Sequence, residues 1–273
     1  MNPTPPDDHW HEGDPYERYI GRWSRPVAAA FLAWLDQPAS LRWLDIGCGT
    51  GALTAAIATQ AQPASLVGVD PSPGFLAKAR ERVAGATFRV ADALALPLAD
   101  ATADVVVSGL VLNFVADTGR GLAEMRRVCA PGGTVAAYVW DYAAKMALIR
   151  HFWNAAVALD PAARALDEGV RFPLCDPHAL ESAFRGADLA AVEVVPIDVP
   201  TVFRDFDDYW SPFLGGQGPA PAYAMALDAA ARDKLRDRIR ADLPVRADGS
   251  IALVARAWAV RGTVDAPPAR GIG

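Results

Sequence analysis

Three acidic residues close successive apolar runs: Asp45 in WLDIGCGTG, Asp70 in SLVGVD and Asp92 in ATFRVAD. After the first come Gly47, Gly49 and Gly51, each separated by one residue. A glycine-rich turn between a strand and a helix lets a ligand approach bare backbone, and free N–H groups there can bind an anion. A dinucleotide site asks for G-x-G-x-x-G around its pyrophosphate. Here the spacing is G-x-G-x-G, and Asp45 lies two residues before the first glycine. An acid there repels a pyrophosphate and suits a ligand with an ammonium group. Asp70 can accept two hydrogen bonds from a ribose diol. Asp92 is placed to accept from an adenine amino group, with the Ala93 N–H donating to the ring. S-adenosylmethionine carries all these groups and fits better than a nicotinamide dinucleotide.

Such residues act together only if strand ends converge. Strands are predicted over 41–46, 65–70, 86–92, 103–112 and 134–140. Helices alternate with them over 52–60, 72–84 and 119–130, with Ser72 as an N-cap and APGG as a turn before the fifth strand. Apolar strands alternating with amphipathic helices mean a parallel sheet covered on both faces. A helix is expected over 26–35 with Pro26 in its first turn, and others over 146–159 and 177–185. Late strands lie within 189–203 and over 251–260, flanking a segment with one long helix over 223–243. The expected fold is α/β, Rossmann-like and doubly wound. It has a seven-stranded, mostly parallel sheet with a late antiparallel strand, an N-terminal lid and a helical cap between the last two strands. Residues 1–14 and 263–273 read as disordered tails around one domain, 15–262. Within it, 15–40 is the lid and first helix, 41–140 the cofactor-binding core and 204–249 the cap.

The 273 residues are 52% hydrophobic, with a formal net charge of −6. That charge disfavours nucleic acid as a partner. Cys48, Cys129 and Cys175 are too few and scattered for a disulfide framework or zinc site, and no metal is expected. With no signal pattern and no membrane-length apolar run, the expected location is the cytoplasm.

WLDIGCGTG, GVDPSPGFLAKAR, VADALALPLAD, SGLVLNFVAD and MRRVCAPGGTV resemble, in order, the motifs of class I S-adenosylmethionine-dependent methyltransferases. The chain looks most similar to the ubiquinone/menaquinone-biosynthesis (methyltransferase type 11) group over roughly residues 16–140. The resemblance implies Asp45 under the methionine ammonium, with Gly47, Cys48 and Gly49 along the methionine and ribose. It implies Asp70 and Pro71 at the ribose and Asp92 and Ala93 at the adenine. Ser108 or Gly109 would offer a carbonyl to the ammonium. It also implies that YERYIGRWSR closes as a lid, with Arg22 on the methionine carboxylate and Tyr16 or Tyr19 near the methyl group. The product would be S-adenosyl-L-homocysteine. An amphipathic lead-in to the first helix explains the same segment without a lid.

An acceptor pocket is expected from Asn113, Phe114, Trp140, Trp210, Phe213 and Gln217, because ligands of open α/β sheets bind beyond the strands' carboxyl ends. The reaction is an in-line displacement at the methyl carbon. A base is needed only for a weakly nucleophilic acceptor, and His151 and Asp141 are the candidates. Cys48 has no base nearby in sequence to make it a nucleophile. The acceptor is expected to be a small molecule. RNA or protein methylation, or a non-catalytic S-adenosylmethionine-binding role, also accommodates these residues.

Overall fold

The computed structural model describes residues 17–215 and 218–266. Tyr16, Gln217, the tail 1–14 and residues 267–273 lie outside the described residues. Seven strands form one sheet: β1 Arg42–Ile46, β2 Ser65–Asp70, β3 Thr87–Val90, β4 Ala103–Gly109, β5 Cys129–Trp140, β6 Ala190–Phe203 and β7 Ile251–Thr263. Their order is β3-β2-β1-β4-β5-β7-β6. β1 pairs in parallel with β2 and β4, β2 with β3, and β4 with β5. β1 has buried side chains on both its faces, as a strand covered by helices must. The sheet turns antiparallel near its C-terminal end. There Gly132 N donates to Val264 O and Val264 N donates to Gly133 O.

The expected doubly wound architecture is present. A five-residue π turn, Glu17–Gly21, leads into α1 (Arg22–Leu35). α2 (Ala52–Gln60), α3 (Pro73–Arg82) and α4 (Thr118–Val128) follow β1, β2 and β4. Ser72 caps α3 by accepting from Phe75 N, and Asp117 caps α4 by accepting from Arg120 N. Then come α5 (Ala147–Leu159), α6 (Glu168–Arg171) and α7 (Pro177–Gly186). β6 is an edge strand that carries Pro196 and Pro200, residues that edges tolerate.

Four details differ from the sequence reading. α1 starts at Arg22, so Pro26 falls in its second turn. APGG is not a separate turn but an irregular stretch inside β5, where Cys129 pairs with Ala103 before the register shifts. The expected long helix of 223–243 is two, α9 (Pro219–Ala226) and α10 (Ala229–Asp242), after α8 (Phe206–Trp210). Asp228 separates them by accepting from Ala231 N as the cap of α10. β7 runs to Thr263, one residue into the stretch read as a tail, and Val264 is buried.

The chain divides into two compact units. The first comprises Ala28–Val139, Pro177–Pro196 and the described part of Trp258–Gly273. The second comprises the described part of Met1–Val27, Trp140–Asp176 and Ile197–Ala257.

Candidate functional site

In the first unit the parallel register aligns the carboxyl ends of four strands. Asp45 stands opposite Gly68 on β2 and Val107 on β4, and Asp70 opposite Val90 on β3. The loop after β1 folds back onto β2: Gly47 N and Cys48 N both donate to Val69 O, at 2.8 and 2.9 Å. Gly49 N donates to Asp70 Oδ2 at 2.9 Å, and Ser72 N to Asp70 Oδ1 at 2.8 Å. These loop amides are therefore spent on β2 and its terminal acid. A pyrophosphate would find no cradle in them.

Gly47 and Gly49 both hold positive φ, +70° and +53°. A Cβ on Gly47 would lie 2.6 Å from a Val111 methyl, whereas one on Gly49 would meet nothing within 4 Å. The loop is thus closed by Val111 at its first glycine and open at its second. Val111 is set by Leu110, whose φ of +66° is unusual for a bulky residue and whose N–H donates to Tyr138 O at 2.7 Å.

Asp45 is completely buried. Its Oδ2 accepts from Thr54 Oγ1 at 2.6 Å, and its Oδ1 has no partner among the described residues. Burial pushes its carboxyl up to about 7, against the opposing Thr54 hydrogen bond. A cationic group beside Oδ1 would relieve both the lost hydrogen bond and the buried charge. Asp70 is also raised by burial, and the amides of Ser72 and Gly49 restrain the shift.

The other first-unit residues divide clearly. Asp92 is exposed beyond β3 and closes a turn by accepting from Leu94 N at 2.9 Å, with Ala93 inside the turn. Pro71 is exposed beside Asp70. Asn113 and Phe114 are half-buried on a 3-10 turn, Leu112–Phe114, after β4. Ser108 is buried, and its Oγ donates to Ile46 O at 2.9 Å, tying the ends of β4 and β1. Gly109 lies against Tyr138, whose hydroxyl would be 2.6 Å from a Cβ there. The Cys48 side chain turns into an apolar cluster with Leu76, Ala79, Val83 and Phe88, and burial pushes its thiol up. Only its backbone is left for the loop.

The remaining sequence-predicted residues belong to the second unit. Phe213 is the hub of an aromatic cluster, with ring centroids 5.3 Å from Tyr19, 5.8 Å from Trp210 and 4.7 Å from Phe152. Arg22 pairs with Asp208, 2.9 Å away on α8. Trp140 is buried and its carbonyl accepts from Cys175 Sγ at 3.3 Å. Asp141 Oδ1 accepts from Ala144 N at 2.9 Å, closing a turn before α5. His151 is half-buried on α5, and burial lowers its pKa. Sequence reasoning missed Glu168, a buried carboxyl bonded by Trp153 Nε1 and pushed up to about 7 by desolvation. It also missed Asp208. No motif marks either residue, because each partner lies on a different element. Among the described residues no cluster of His, Cys, Asp and Glu could hold a metal, and no helix is long and apolar enough to cross a membrane.

A model of the methyltransferase domain matches residues 44–137. The chain is 31% identical to trans-aconitate 2-methyltransferase of Methylobacterium radiotolerans, over 79% of this chain and 88% of the relative. It is 38% identical to the ubiquinone/menaquinone biosynthesis C-methyltransferase UbiE of Geobacter sulfurreducens, over 41% of this chain and 45% of the relative. The chain spans about half the length of several curated relatives it matches, as with 48% of trans-aconitate 2-methyltransferase of Variovorax paradoxus. Two solved structures share the fold. YcgJ of Bacillus subtilis has a TM-score of 0.57 at 18% identity, covering 90% of this chain and 100% of that one. Phosphoethanolamine N-methyltransferase 2 of Haemonchus contortus, solved with phosphomonomethylethanolamine and S-adenosylhomocysteine, has a TM-score of 0.57 at 17% identity. It covers 93% of this chain and 58% of that one.

Proposed function

Because the chain belongs to the S-adenosylmethionine-dependent methyltransferases, we propose that it transfers a methyl group to a small-molecule acceptor. The observation that carries the cofactor assignment on this chain's own residues is the unpartnered, fully buried Asp45 Oδ1 beside a loop whose amides are already used. It calls for a cation and offers no phosphate cradle. Gly49 leaves the approach open. We assign the ammonium to Asp45, the ribose to Asp70 and the adenine to Asp92 and Ala93. Relatives named for trans-aconitate, ubiquinone and menaquinone support a small acceptor over RNA or protein, as does the net charge of −6. Three free, buried cysteines fit a reducing cytoplasm.

Bound S-adenosylmethionine supplies a methyl group on a sulfonium, already a strong electrophile. The chain's task is to hold donor and acceptor in line and exclude water, a contribution that can reach roughly 7–11 kcal/mol. The test is calorimetric titration. S-adenosylhomocysteine binds and raises the melting temperature, as any ligand of the folded state must, whereas NAD and NADP do neither. Absence of S-adenosylhomocysteine binding overturns the reading.

Asp45 also sets a pH dependence. Below about pH 7 its carboxyl holds a proton in the free protein, and an ammonium group must displace it. Affinity for S-adenosylhomocysteine should therefore rise about tenfold from pH 6 to pH 8 and then level off. 5′-Methylthioadenosine has no ammonium and should show no such rise, and Asp45→Asn should abolish it. The fold responds with the opposite sign. The folded carboxyl keeps its proton above the unfolded value of 3.8, so its stabilising effect is full below that value and is lost as pH rises through about 7. A pH-independent affinity in the native chain would remove Asp45 from the ammonium site.

A further inference from the structure

The buried residues of α2 are Leu53, Thr54 and Ile57, and Thr54 is completely enclosed. A hydroxyl in such a place loses its water and needs a partner inside the fold. Thr54 Oγ1 finds one nine residues back, donating to Asp45 Oδ2 at 2.6 Å. Asp45 is equally enclosed, and its Oδ1 has no partner among the described residues. The acid therefore has two unlike oxygens, one filled from within the first unit and one left over.

Stability does not account for this pair. Replacing a buried hydrogen-bonded pair by apolar groups of the same shape is often neutral or stabilising, and the other buried side chains of α2 are aliphatic. What the hydroxyl changes is the charge state of Asp45. Burial favours the protonated acid, and the Thr54 hydroxyl opposes it. The charge of Asp70 then adds to burial, and the Thr54 N–H opposes again. Cys48 is the other titratable group facing Asp45, and burial pushes its thiol up. Across the sheet Gly68 and Val107 stand opposite Asp45 and carry no charge. A hydrogen bond donated to a carboxylate favours the ionised form. Losing one moves the carboxyl upward by roughly one to two pH units.

We infer that Thr54 is a positioning residue for the cofactor's ammonium group: its hydroxyl fills Oδ2, favours the carboxylate over the acid and leaves Oδ1 as the oxygen that receives the cation. The inference rests on the assignment of the ammonium to Asp45 and extends that site by one side chain. Thr54 touches no ligand in this role and acts through Asp45. All the residues involved lie in the first unit.

The test compares Thr54→Val and Thr54→Ser with the native chain, titrating S-adenosylhomocysteine and 5′-methylthioadenosine at pH 7 and pH 9. Thr54→Val removes the hydroxyl and keeps the branched shape. It should weaken S-adenosylhomocysteine about fivefold or more at pH 7 but no more than about threefold at pH 9, where the carboxyl ionises without help. Thr54→Ser keeps the donor and should stay within about threefold of the native chain at both values. 5′-Methylthioadenosine, which has no ammonium, should change by no more than about twofold in either variant. In an Asp45→Asn background, Thr54→Val should add no more than about a twofold loss. Unchanged affinity in Thr54→Val, an equal loss at both pH values or an equal loss for both ligands overturns the role. If Thr54→Val does not fold, Thr54→Ala decides by the same comparison. The native chain tests the parent reading separately. No S-adenosylhomocysteine binding ends the methyltransferase reading, and binding without a rise from pH 6 to pH 8 ends the assignment of the ammonium to Asp45. Either result takes the inference with it before any Thr54 variant is made.

Discussion

Gly47→Ala is expected to destabilise the fold by about 2–5 kcal/mol. Two terms add. A left-handed backbone at φ +70° costs an alanine roughly 1–2 kcal/mol. The new Cβ would also lie 2.6 and 2.7 Å from the two Val111 methyls. Val111 cannot easily retreat, because Leu110 is held at φ +66° by its bond to Tyr138 O. Overpacking of this kind costs about 1–3 kcal/mol. Urea unfolding of Gly47→Ala and of Gly47→Ala with Val111→Ala separates the terms, since the double variant should regain only the second. A loss below about 1 kcal/mol in the single variant would contradict the crowding. Gly49→Ala should behave in reverse. With nothing within 4 Å of its Cβ, it should cost little more than the backbone term and instead weaken S-adenosylhomocysteine.

Asp70→Ala should weaken S-adenosylhomocysteine by roughly 1.5–3 kcal/mol, the range for hydrogen bonds to a charged group. Both its oxygens already accept a backbone N–H, from Gly49 and Ser72. Each oxygen has a further lone pair, so a ribose diol adds to these bonds without displacing them. The loss should be equal for 5′-methylthioadenosine, which has the same ribose. It should also come with lower thermal stability, because the glycine loop loses its tie to β2. Unchanged affinity for both ligands would place the ribose elsewhere.

The strand–helix alternation was legible because buried parallel strands must be continuous apolar runs, and the acids that end them interrupt those runs. Ser72 was legible as a cap because its role is local. What escaped was long-range or was masked by periodicity. Asp228 looks like one more acid on a polar helix, yet its hydrogen bond to Ala231 N divides that helix in two. Nothing local pairs Arg22 with Asp208, 186 residues later. Cys48 sits in the most recognisable motif of the chain, and only the packing shows its side chain turned towards Leu76 and Phe88. The bonding of the loop amides is a further case. Their donation to Val69 O and Asp70 depends on the β1–β2 pairing, which no local pattern encodes.

The division of the chain into units has a genetic consequence. The sequence passes from one unit to the other five times, after Val27, Val139, Asp176, Pro196 and Ala257. Three of these passages fall inside or at the end of a strand: β5, β6 and β7 each contribute residues to both units. No truncation from either terminus and no single internal cut releases a unit whole. A gene encoding the first unit alone would have to join three separated segments and supply new ends for three strands. Exchange of the second unit between chains of this architecture therefore cannot proceed by shuffling one contiguous module. It would have to move three segments that are interleaved with those of the first unit along the chain.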